Sequence, residues 1–71
     1  MAEEDVILKK IGKRIRAKRQ ERNLSQQDLA DKCGIEKANL SRIESGQVNL
    51  KVLTLRRIAQ ALRTPVRDLW A

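Results

Sequence analysis

The sequence predicts one all-α domain, a compact arrangement of five helices, and three observations carry that prediction. From Leu24 to Gly46 the chain reads LSQQDLADKCGIEKANLSRIESG, two short helices joined by a tight glycine turn. The apolar residues are almost all Leu, Ile, Val and Ala, with one Trp and no Phe or Tyr, which suits packed helices better than a sheet. At 71 residues there is room for one domain with a small core, near the lower limit where such a core suffices unaided. The chain contains no internal repeat, linker or low-complexity segment.

The first helix is expected from about Glu4 to Arg22, with Leu8, Ile11 and Ile15 as its inward stripe and Asn23 as a left-handed stop. Glu3, Glu4 and Asp5 crowd its start, where they favour the positive end of a helix dipole. The second helix starts at Ser25, where Ser25 and Asp28 have the spacing of a capping box. Leu29 and Cys33 share its inner face, and Ala30 is small enough for another helix to approach. Gly34 closes it by adopting the left-handed conformation. The third helix starts near Glu36 or Lys37 and ends at Ser45-Gly46, with Leu40 and Ile43 inward and Ala38, Ser41, Arg42 and Ser45 on the opposite face. A fourth helix runs from about Val52 to Leu62, burying Leu55, Ile58, Ala59 and Leu62. Thr64 can cap a short fifth helix whose first turn holds Pro65 and whose apolar residues are Val66, Leu69 and Trp70.

Charge narrows the function classes. The formal net charge is +7, and eight of the 16 basic residues fall between Lys9 and Arg22: Lys9, Lys10, Lys13, Arg14, Arg16, Lys18, Arg19 and Arg22. A basic helix of this kind is either a solvated face or a set of phosphate contacts. With no His and one Cys there is no disulfide, no metal cluster and no catalytic constellation, and no cofactor is expected. Cys33 reads as a small core residue rather than a redox sensor. With one Cys, a reducing cytoplasm is the expected setting, and no apolar run approaches the ~20 residues needed to cross a bilayer. RNA binding is disfavoured, since the sequence, with one Trp and no Phe or Tyr, is not expected to expose a set of aromatics for stacking bases.

From about Ile11 to Leu69 the chain resembles the phage lambda repressor and Cro (XRE) family, in the helix-turn-helix of residues 25–45 and in the order of its flanking helices. The resemblance implies a lambda-repressor-like fold and a regulator binding double-stranded operator DNA, a repressor or a restriction-modification controller-like protein, with residues 37–45 in the major groove. The span of the loop from Gln47 to Lys51 is similar to that in such controllers. At the end of the fourth helix the family frequently has Gly where this chain has Arg63, so a left-handed exit there is less easy.

On this resemblance Lys37, Ala38, Ser41 and Arg42 face the bases. Arg42 has the donor fork for guanine O6 and N7, and Ala38 suits a thymine methyl. Gln26 matches a glutamine that bonds a phosphate and braces the recognition helix. Gln27, Asn39, Ser45, Gln47 and Asn49 are the remaining candidates for phosphate contact. Arg19 lies one turn beyond Ile15 and Glu44 one turn beyond Leu40, so the two are expected to pair between helices, as in relatives. Because one short helix reads few base pairs, a homodimer on an inverted repeat is expected, with half-sites ~34 Å apart. Val66, Leu69 and Trp70 supply either its contact surface or the closure of the monomer core. The alternative from another class is an antitoxin or similar protein-interaction module on the same fold.

Overall fold

The computed structural model describes residues 2–70. The helices are α1 (Glu3–Glu21), α2 (Gln26–Cys33), α3 (Lys37–Glu44), α4 (Val52–Ala61) and α5 (Val66–Leu69), and the described residues contain no strand. None of these helices is long and apolar enough to cross a membrane.

The four longer helices end in one way. After each of them a residue at positive φ, Asn23, Gly34, Gly46 or Arg63, reverses the chain. The next amide then reaches back across the last turn: Leu24 N–H to Arg19 O, Ile35 to Ala30 O, Gln47 to Arg42 O and Thr64 to Ala59 O, at 2.9–3.1 Å. These are Schellman closures, which satisfy carbonyls the helix itself leaves open. Arg63 adopts φ +53 although it is not glycine, so the left-handed exit expected to be difficult forms nonetheless. Its carbonyl accepts from Arg22 Nη2 at 3.2 Å, one of the contacts that fix this turn.

Helix starts differ more. Ser25 makes the full capping box, its hydroxyl accepting from the Asp28 amide and its own amide donating to Asp28 Oδ2, both at 3.0 Å. That pairing holds the Asp28 carboxyl below the usual carboxylate range, through the Ser25 amide first and its hydroxyl second. At α5 the cap position falls on Pro65 instead of Thr64, and the Thr64 hydroxyl bonds Asp68 Oδ2 at 3.4 Å. Thr64 therefore braces α5 from the side, a correction to the expected cap.

Ile15, Leu29, Leu40, Ile58, Leu62 and Leu69 are fully buried and form the centre of the core, with Ile11, Ala30, Cys33, Ile43, Leu55 and Ala59 around them. The α1 stripe is anchored by Ile11 and Ile15, while Leu8 is only half-buried beside Ile7. Helix α1 packs on α3 and α5, α2 on α3 and α4, and α4 on α5. Leu69 closes this core, whereas Val66 and Trp70 remain 40% and 54% exposed. Burial pushes the Cys33 thiol up, keeping it protonated.

Candidate nucleic-acid interface

Helix α3 buries Leu40, Ile43 and Glu44 and turns Lys37, Ala38, Ser41, Arg42 and Ser45 to solvent. This division follows from 3.6 residues per turn, since the buried positions recur three and four apart. Asn39 is half-buried at the edge. The exposed face is short, and Arg42 stands on it, exposed, with its backbone fixed in the helix.

Glu44 holds the helix from behind. Its carboxylate accepts from Arg19 Nε at 2.7 Å and Nη2 at 3.1 Å, and from Gln26 Nε2 at 3.1 Å. Arg19 spends a further donor, Nη1, on the carbonyl of Leu24 at 2.8 Å. One guanidinium thus joins α1, the turn before α2, and α3. The charges are buried, Arg19 at 8% and Glu44 at 7% exposure, but every buried side-chain nitrogen and oxygen among the described residues has a partner. Gln26 is half-buried and its amide is drawn inward to Glu44, so it fastens the start of α2 to the end of α3.

The remaining candidates divide by conformation. Ser45 turns its hydroxyl back onto the carbonyls of Ser41 and Arg42, at 3.0 and 3.1 Å, and so closes α3. Gln27 is exposed and donates to Asp31 Oδ1 at 2.8 Å. In the loop after α3, Val48 and Leu50 pack on the core while Gln47 and Asn49 point outward, an alternation that anchors the loop and presents both amides. The basic residues of α1 separate too. Arg14 bonds the carbonyl of Trp70, Arg22 bonds Arg63, Lys18 pairs with Glu21 at 3.6 Å, and Lys10, Lys13 and Arg16 are exposed. A groove of about 480 Å³ lies between the start of α1, the loop after α3, the start of α4 and Trp70.

Two features of this site escaped the sequence reading. The Leu24 carbonyl, a backbone acceptor, carries no sequence signal. Gly12 is the other: it is buried where α1 meets the end of α3, and its place beside Ile11 and one turn before Ile15 was the available clue.

Comparison with known proteins agrees with this geometry. A helix-turn-helix family model (HTH_3) matches residues 15–69. The HTH-type transcriptional repressor RghR of Bacillus subtilis is 36% identical over 63 residues, covering 87% of this chain and 47% of that protein, so the chain spans about half the relative's length. The restriction-modification controller protein C.AhdI of Aeromonas hydrophila superposes with a TM-score of 0.86 at 33% identity, covering 89% of this chain and 96% of that one. SinR, a master regulator of biofilm formation solved in complex with DNA, gives 0.78 at 37% identity over 83% of this chain and 95% of its own. The chain belongs to the Cro/C1-type helix-turn-helix (XRE) family of transcriptional regulators.

Proposed function

We propose that this domain is a sequence-specific regulator of transcription that reads double-stranded operator DNA with α3 in the major groove. The observation that carries the reading is the combination at α3: a polar outer face of Lys37, Ala38, Ser41 and Arg42 on a helix whose inner face is held by Arg19, Glu44 and Gln26. A short helix so fixed presents donors at set positions, which base-edge recognition requires. The exposed base readers are Arg42 and Lys37, with Ala38 toward a thymine methyl and Ser41 beside them. Gln47 and Asn49, with Gln27 and the partly buried Asn39, take phosphates, and Gln26 and Ser45 act mainly by fastening α3. The operator is an inverted repeat bound by a homodimer, and the exposed Val66 and Trp70 form part of the contact between copies. The cytoplasm is the proposed setting.

Selection from random duplex DNA at stated salt tests this reading. The expected result is an enriched inverted repeat whose affinity falls with salt by a log-log slope of about −0.9 per phosphate neutralised. Equal binding of all duplexes of one length would favour a protein-interaction module instead.

A further inference from the structure

Helices α1 and α3 approach at Gly12 more closely than two helices carrying side chains can. A Cβ at Gly12 would stand 2.6 Å from the carbonyl oxygen of Ile43 and 2.8 Å from the carbonyl carbon of Glu44. Both are backbone atoms of the last turn of α3, so no change of rotamer relieves the overlap. The approach recurs from the other side. A Cβ at Gly46 would lie 2.8 Å from Cα and 2.9 Å from the nitrogen of Lys9. The Lys9–Gly12 turn of α1 is therefore seated backbone to backbone on residues 43–46.

We infer that Gly12, with Gly46 opposite it, is a positioning residue for α3, setting how far that helix stands out from the domain and at what tilt. The inference rests on the proposed reading of DNA by α3. The Arg19–Glu44 pair fixes where the end of α3 attaches but not its distance, because both partners reach through long, rotatable side chains. The glycine contact has no such slack. Relieving a Cβ at Gly12 separates the helices by roughly 1 Å, more than the ~0.5 Å within which a binding constellation has to be held. The bonds from Arg42 and Lys37 to base edges would then lengthen and lose their alignment, while phosphate attraction would persist. Gly12 precedes the residues 15–69 matched by the family model, so that match assigns it nothing.

The test compares the full chain with its Gly12→Ala and Gly46→Asn variants, and with Ile58→Ala as a control. Ile58 is fully buried on α4, which packs on α2 and α5. Each is titrated with the duplex selected by the wild-type protein and with a scrambled duplex of equal length, after a thermal melt. Gly12→Ala is expected to melt cooperatively, to lose about tenfold or more on the selected duplex and under about twofold on the scrambled one. Ile58→Ala is expected to lose stability but keep the ratio of the two affinities. Where Gly12→Ala does not melt cooperatively, Gly46→Asn decides, since Asn tolerates the left-handed backbone and still places a Cβ against Lys9. An unchanged ratio in the variant that decides, or failure of both to fold, overturns the positioning role alone. A wild-type protein without preference between the duplexes overturns the reading by α3, and the inference with it.

Discussion

Arg19 and Glu44, 25 residues apart in sequence, meet in a two-point ion pair of 2.7 and 3.1 Å between α1 and α3. Their side chains are 10% and 3% exposed, so removing one charge strands the other in a poorly solvated site. Glu44→Gln is expected to cost on the order of 3 kcal/mol in urea denaturation. Replacing the pair together, Arg19→Met with Glu44→Leu, is expected to recover part of that loss, because no charge is stranded although the Leu24 carbonyl and the Gln26 amide lose their partners. An unchanged urea midpoint for Glu44→Gln would assign the pair to the weak class of surface bridges.

Arg42 and Gln26 separate by the pattern of their losses. Arg42→Ala is expected to cost about 1–3 kcal/mol of binding and to relax preference at one base pair in each half-site. Gln26→Ala, which removes a bond that fastens α3 to α2, is expected to weaken the selected duplex more than a scrambled one while leaving the preferred base at each position unchanged. A panel of single-base operator changes reads both, and a uniform loss for Arg42→Ala would move Arg42 to the DNA backbone.

The left-handed Arg63 is a point of stored strain. Arg63→Gly is expected to stabilise the domain by about 0.5–1 kcal/mol, net of the greater freedom glycine has when unfolded. The bond from Arg22 is to the backbone carbonyl and survives the change. A melting temperature that falls would show that the arginine side chain contributes more than its backbone costs.

Leu69 and Trp70 are neighbours with opposite expected phenotypes. Leu69→Ala is expected to cost about 2–5 kcal/mol, because it empties a fully buried position. Trp70→Ala is expected to change stability by less than about 1 kcal/mol and to weaken self-association in sedimentation. Undiminished association would place the contact between copies elsewhere.

Asp28 sets an acid limit. Its folded-state pKa is depressed by the capping box, so its contribution is present above the unfolded value of about 3.9 and is lost as pH falls through the folded value. Asp28→Asn is therefore expected to show a smaller fall in stability than the wild type between about pH 5 and about pH 2. Parallel curves for the two proteins would rule out this contribution.

The parts of this structure legible in the sequence are those governed by local rules. Ser25, Asp28 and Gly34 mark the ends of α2 because caps are settled within a few residues, and Asn23 reverses the chain for the same reason. The inward face of α3 follows from its period. Arg63 was harder, since the turn is imposed by packing at both ends against a local preference. Leu8 and Ile7 share a burial that periodicity assigned to Leu8, because α1 there borders an open groove. Ser45 and Gln26 have side chains free to choose among partners, and only the folded neighbours decide the choice. Gly12 is legible only after α3 has been set against α1.

The bond from Arg14 to the carbonyl of Trp70 joins the first helix to the end of the last, 56 residues away in sequence. With α1 also packed on α5, the last helix cannot leave the domain without breaking contacts to α1. The first and last helices therefore close a ring of contacts and not an open stack, and the domain is built to unfold as one cooperative unit. Amides in the middle of α1 should then exchange with solvent on the same timescale as those around Ile58, through global opening, although the two lie on helices at opposite ends of the chain.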